Sequence, residues 1–170
     1  MKYSIIFSSK SGNTAQLAEA VKSTLSEDEC IHYGDPDIKA KEADLIFIGF
    51  WTDKGCCDDS IKEFLQELKG KKVFIFGTAG FGGSEAYFSG ILNRVKKYVD
   101  SSNIVIDTYM CQGKMPISIR ERYEEMMPQN PKKMQNLIEN FDKALSHPSS
   151  EDLEAIKNKV KKCIYEINGI

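Results

Sequence analysis

Two runs near the middle of the chain, LIFIGF at residues 45–50 and KVFIFG at residues 72–77, contain almost nothing that water would hold. A strand with one wet face alternates apolar and polar side chains, whereas these runs are nearly continuous, so both of their faces must be covered by other parts of the chain. That pattern belongs to the centre of a parallel sheet flanked by helices. Further strand-like runs fall at residues 2–7, 30–33 and 103–110, and the CIHYGD stretch around the second of these is shorter and more polar, as suits a sheet edge. Helix-period segments lie between them at residues 13–25, 58–68 and 84–99, with a short piece at 38–42. Strands alternating with helices predict an α/β fold, a doubly wound five-stranded parallel sheet with helices on both faces.

After Met110 the pattern changes. The segment ISIRERYEEMM is broken by Pro128 and Pro131, and two helical stretches follow at residues 132–145 and 150–167. Ser149 or Ser150, followed by Glu151 or Asp152, supplies the start of the last one. A minimal sheet of this kind needs one closing helix, so the surplus covers the site or offers a partner surface. For ISIRERYEEMM a lid, a dimer surface, a docking site and a solvated amphipathic helix all stay open. With no repeat and no long linker, residues 1–170 are expected to form a single domain, with a core at about 1–113 and a helical extension at 114–170.

A formal charge of -2 gives no case for nucleic acid, which needs a concentrated basic face. No stretch approaches the ~18 apolar residues of a membrane span, and YSIIF near the start reads as a strand rather than a leader, so a cytoplasmic protein is expected. Five cysteines without a CxxC pair signal neither a disulfide framework nor a zinc ribbon. With only His32 and His147, neither a metal site nor a Ser-His-Asp set is expected, and no catalytic residue is assigned.

The junction SSKSGNT, between the first strand and the first helix, is the strongest chemical signal. A helix start leaves main-chain N–H groups without partners, and in a doubly wound sheet this loop lies at the ligand-binding edge. Gly12 permits a positive φ or close approach, Ser9, Ser11 and Thr14 add hydroxyls, and the helix start, at Asn13, adds partial positive charge. A phosphate would be held there by main-chain amides; the alternative is a simple helix cap. Lys10 either pairs with that phosphate or is a solvated loop lysine. The GxxxxGK[ST] loop is absent, and a GxGxxG pattern begun at Gly80 fails at Glu85.

At Ile5, Ile6, Phe7, Ser9, Gly12, Thr14, Ala18 and Val21 the stretch IIFSSKSGNTAQLAEAV resembles the flavodoxin signature, and the likeness covers roughly residues 1–113. The resemblance implies FMN as cofactor, its phosphate on this loop, and strand order 2-1-3-4-5. It further implies that residues 50–55, with Phe50, Trp51, Thr52, Asp53 and Gly55, touch the N5 region of the ring. Residues 78–83, with Thr78, Ala79, Gly80, Phe81, Gly82 and Gly83, would then lie along its pyrimidine edge.

Trp51 either stacks on the ring or caps the core, and Phe81 and Tyr87 either cover the second face or pack beneath the next helix. Thr52 stands where many flavodoxins have a glycine whose peptide turns over to bond the half-reduced ring. A β-branched residue at positive φ is strained, which implies weaker stabilisation of that form. Asp53, Asp58 and Asp59 are read either as acids around the ring that lower its potential or, for the last two, as helix N-terminal acids. Cys56 and Cys57 are read as ordinary thiols rather than a redox pair, and Cys111, in CQG after the last strand, either approaches the flavin edge or is structural.

The function these features predict is an FMN electron carrier that passes electrons to a larger reductase by transient docking. The wider pattern, with FWTDKG, CQGK and SHPSSEDL, resembles flavodoxin-family proteins of anaerobic bacteria, some of which are accessory flavoproteins of a bilirubin-type tetrapyrrole reductase. The alternatives are a stand-alone FMN oxidoreductase acting on a quinone or porphyrinogen, and a flavin-free interaction module.

Overall fold

The two apolar runs lie side by side at the middle of a parallel sheet. The computed structural model describes residues 1–169, so Ile170, the last residue of the expected domain, lies outside the described residues. The strands are β1 (Tyr3–Phe7), β2 (Cys30–Gly34), β3 (Leu45–Asp53), β4 (Cys56–Cys57), β5 (Lys72–Ala79) and β6 (Ile104–Gln112). The parallel sheet runs β2-β1-β3-β5-β6, and β4 pairs only with β3. Counted over the five parallel strands, this is the expected 2-1-3-4-5 order.

β4 is an addition to that expectation. It folds back antiparallel on β3, pairing Thr52 with Cys57 and Asp53 with Cys56. The two residues between, Lys54 (φ 48) and Gly55 (φ 79), are both left-handed, as a tight two-residue hairpin turn requires. β3 and β6 also run further than their apolar runs suggest, because pairing continues through Trp51 with Thr78 and through Ala79 with Gln112.

The helices are α1 (Asn13–Lys22), α2 (Asp59–Glu67), α3 (Glu85–Lys96), α4 (Ile117–Glu125), α5 (Pro131–Ala144) and α6 (Ser150–Asn168). Alternate residues of each strand point to opposite faces, and the core divides accordingly. Ile46, Ile48, Phe50, Val73 and Ile75 pack with Ile61, Phe64 and Leu65 of α2 and Ile91 and Val95 of α3. Leu45, Phe47, Phe74 and Phe76 pack with Leu17 and Val21 of α1 and Ile156, Val160 and Cys163 of α6. The closing helix is therefore α6, and the packing of the sheet draws on residues well past 113. Ser149 caps α6, in a capping box with Asp152. The surplus is α4 and α5, which pack against each other.

Each central strand contains one glycine facing a phenylalanine on its neighbour. Gly49 pairs with Phe76 and Phe50 with Gly77. A Cβ built on Gly77 would lie 2.5 Å from the Phe50 ring, and one on Gly49 would lie 2.5 Å from the Phe76 ring. The glycines are there because the rings occupy their side-chain space. Gly77→Ala should therefore cost about 1–3 kcal/mol by overpacking. Urea unfolding of the variant checks this, and an unchanged midpoint would contradict the packing described.

Candidate cofactor-binding site

In this strand order the chain passes from β1 to β2 on one side and then crosses back to β3 on the other, so a crevice opens at the carboxyl ends of the strands beside β1. The β1–α1 loop sits at that crevice. Gly12 holds φ 86 at the cap position of α1 and supplies no side-chain cap. Ala15 N–H donates to Ser9 Oγ (3.1 Å) and Gln16 N–H to the Gly12 carbonyl (3.2 Å). Among the described residues, no main-chain acceptor meets the N–H groups of residues 10–14. A Cβ on Gly12 would have nothing within 4 Å, so the space beside these donors is open. The loop is suited to an anion.

Three threonines make the polar floor. Thr14 Oγ1 is 3.2 Å from the Phe50 carbonyl, to which it donates, and 3.0 Å from Thr78 Oγ1, and both threonines are buried. Thr52 Oγ1 donates to the Thr78 carbonyl at 2.8 Å. The hydroxyl of Thr14 thus belongs to the sheet rather than to an anion. Thr52 has no positive φ: it lies in the β3–β4 ladder, where turning its peptide over would break the pairing with Cys57.

Beside this floor is a cavity of about 430 Å³, within the range of small-molecule sites. Of the residues read from sequence, Lys10, Ser11, Asn13, Trp51, Thr52, Thr78, Ala79, Gly80 and Phe81 line it. Trp51 is half-buried, and the Lys10 ammonium lies over its ring, 4.9 Å from the centroid. The other residues named do not line the cavity. The Phe50 side chain is fully buried in the core. Asp53 and Gly55 belong to the hairpin, whose turn is held by Arg94 Nε donating to the Gly55 carbonyl (2.6 Å). The Tyr87 ring packs on Gly82, where a Cβ would lie 2.1 Å from it, and Gly83 faces the Gln112 amide.

The opposite wall was missed in sequence. It is Gly113, Lys114, Met115, Pro116 and Ile119, from the segment after β6 and the start of α4. The signal available was topological, since CQGKMP follows a strand and so ends at the same sheet edge. Asn13 ties this wall to the β1–α1 loop by donating from Nδ2 to the Lys114 carbonyl (2.9 Å) and to Ser11 Oγ (3.1 Å). α5 braces the loop after β5, where Asn140 Nδ2 donates to the Gly80 carbonyl (2.9 Å) and Gln112 Nε2 donates to Asn140 Oδ1 (3.1 Å).

The nearby acids are engaged elsewhere. Asp58 accepts from Ser8 Oγ and from Ser60 Oγ, and Asp59 pairs with Lys62 (2.8 Å). His147 pairs through Nδ1 with Asp152. Cys111 lies within β6 and is buried, which pushes its thiol pKa up. A second cavity of about 400 Å³, lined by Met1, Asp44, Lys71 and Lys72, sits at the opposite ends of the strands, away from the crevice.

Free main-chain donors, a flat aromatic, a polar floor and an apolar wall together fit a planar ligand with a phosphate. Fold and site define a doubly wound α/β protein with an anion-receptive loop at its switch point. The sequence matches the Flavodoxin domain family over residues 4–161. Two relatives are each called flavodoxin-like domain-containing protein BilS. The one from Clostridium symbiosum is 35% identical, covering 93% of each chain, and the one from Clostridioides difficile is 28% identical, covering 90% of each. Among solved structures, a Streptococcus pneumonia flavodoxin has the same fold (TM-score 0.62, 16% identity, 98% of this chain and 99% of that one). So does a flavodoxin from the Archaea (TM-score 0.57, 16% identity, 99% of each). The chain belongs to the flavodoxin family.

Burial, with Cys56 as the next cause, pushes the Cys57 thiol up to about 12. Iodoacetamide at pH 8 should label half-buried Cys56 before Cys57 in the folded protein, and fragment-ion mass spectrometry distinguishes them. Equal labelling would contradict the burial of Cys57.

Proposed function

We propose that this chain binds FMN and carries electrons to a partner reductase. The observation that carries the reading is the set of unpartnered main-chain donors at residues 10–14, placed beside a cavity with Trp51 in its wall. Ser9, Ser11, Gly12, Asn13 and Lys10 would receive the phosphate. Trp51 offers a stacking plane, and Met115, Pro116 and Ile119 exclude water from the other side. Thr52, Thr78 and the main chain of Ala79, Gly80 and Phe81 would meet the polar edge of the ring. Thr14, Phe50, Asp53, Gly55, Gly82, Gly83 and Tyr87 act one step back, by shaping the loops.

When bound, the flavin supplies the electron transfer, and the protein sets its access and its potential. Among the described residues lining the cavity, the charged ones are Lys10 and Lys114, and no nucleophile is paired with a base there. That supports a carrier over an enzyme with chemistry of its own. The acceptor implied by the sequence resemblance is a larger cytoplasmic reductase of the bilirubin-type tetrapyrrole class, met by transient docking. The whole chain would act as one unit, with α4 and α5 forming the rim of the site. No helix among the described residues is long and apolar enough to cross a membrane.

Reconstitution tests the reading. The protein stripped of flavin should take up one equivalent of FMN and turn yellow, and electrons should reach a tetrapyrrole only when the reductase is added. Failure to bind FMN would overturn the proposal. Turnover of NADH with a quinone or porphyrinogen by the protein alone would favour a stand-alone oxidoreductase instead.

A further inference from the structure

The loop after β5 has a cavity on each side. Gly80 and Phe81 line the one beside Trp51, and Gly82, Gly83, Gln112 and Asn140 line a polar one of about 430 Å³ against α5. Two side-chain amides reach the loop from that polar side. Asn140 Nδ2 donates to the Gly80 carbonyl at 2.9 Å, and Gln112 Nε2 is a second, longer donor to it at 3.4 Å. The two amides are also joined to each other, because Gln112 Nε2 donates to Asn140 Oδ1 (3.1 Å). Gln112 is buried and pairs with Ala79 in the sheet, so this pair of amides is anchored in β6 as well as in α5. The Gly80 carbonyl is therefore aimed at α5.

The Gly80–Phe81 peptide is trans, and in a planar trans peptide the N–H points the opposite way from the carbonyl. With the carbonyl turned to α5, the Phe81 N–H is turned to the cavity beside Trp51. Among the described residues no main-chain acceptor meets it. From this we infer that Asn140, supported by Gln112, is a positioning residue: it fixes the Gly80–Phe81 peptide so that the Phe81 N–H is presented to a carbonyl oxygen of the flavin ring. The inference rests on the FMN reading above and gives α5, one of the two surplus helices, a part in recognising the ring. Without the Asn140 donor only the longer Gln112 bond holds the peptide, and a glycine before it lets it turn at little cost. The donor would then be lost from the cavity although no residue lining the cavity had changed.

The test compares the wild type with Asn140→Asp and Asn140→Ala, with thermal melting to confirm that each is folded. A carboxylate at this position has nearly the same shape and still accepts from Gln112, but it cannot donate to the Gly80 carbonyl. Asn136→Asp places the same charge one turn earlier on α5, in the same polar cavity and away from the Gly80 bond, and so controls for charge. Quenching of Trp51, the one tryptophan, reports affinity for FMN and for riboflavin, which has the ring without the phosphate. Both Asn140 variants should lose about fivefold in affinity for each ligand, as expected for one ordinary hydrogen bond, and keep the wild-type ratio between the two. Asn136→Asp should bind like the wild type. In residue-resolved NMR, either flavin should slow solvent exchange of the Phe81 amide in the wild type and leave it fast in Asn140→Asp. A wild type that binds FMN without protecting the Phe81 amide would overturn the inference and leave the FMN reading standing. So would wild-type affinity in Asn140→Ala, a loss confined to FMN, which would put the effect at the phosphate, or a loss with Phe81 still protected, which is what a simple brace gives. A wild type that binds neither flavin would remove this inference and the FMN reading together.

Discussion

The hydroxyl of Thr14 ties the first turn of α1 to the carboxyl ends of β3 and β5, and the rest of the site depends on that bond. It reaches the Phe50 carbonyl and the Thr78 hydroxyl inside a floor closed to water, where an unpaired polar group would cost about 1–3 kcal/mol. With the helix start fixed there, the chain between β1 and α1 must turn sharply, and Gly12 makes the turn at φ 86. The N–H groups of residues 10–14 are left without main-chain acceptors, and the space beside Gly12 is open. Strand order then determines what lies beside them, since the crevice between β1 and β3 brings Trp51 and Thr52 to one side and the loop after β5 to the other.

The opposite wall depends on contacts between distant parts of the chain. Asn13 holds Lys114, Lys114 N–H is bonded to the His147 carbonyl, and Asn140 and Gln112 hold the loop at Gly80. The segment after β6 is thus a structural part of the site. α4 is less firmly bound. It buries no residue completely, leaves Ile117 exposed, and is anchored to α5 by Arg120 with Asp142 (3.1 Å). The rim of the cavity is held by fewer contacts than its floor.

The parallel sheet was legible in the sequence because it rests on a local pattern, the unbroken apolar runs of β3 and β5, whereas its strand order came only from the family resemblance; the small polar residues between a strand and a helix marked the loop after β1 as the place to look for an anion. The rest depends on pairing between residues far apart. β3 reads as ending at Phe50, yet Trp51 pairs with Thr78, and β4 exists because the Lys54-Gly55 turn lets Cys56 and Cys57 fold back. Thr14 reads as an anion donor until its partners, 36 and 64 residues away, are known. Likewise Phe50 and Tyr87 are aromatic and near the right strand ends, but Phe50 fills the space over Gly77 and Tyr87 the space over Gly82. Met115 and Ile119 carried no local signal, since only the path of the chain after β6 brings them to Trp51.

The central claim is that main-chain donors at the start of α1 hold a phosphate. Comparing FMN with riboflavin by calorimetry tests it most directly, because the two share a ring and differ by the phosphate. With two or more charge-assisted hydrogen bonds at stake, FMN should bind at least about a hundredfold more tightly than riboflavin. Equal affinity for the two would contradict the account, because the loop would then contribute nothing to binding.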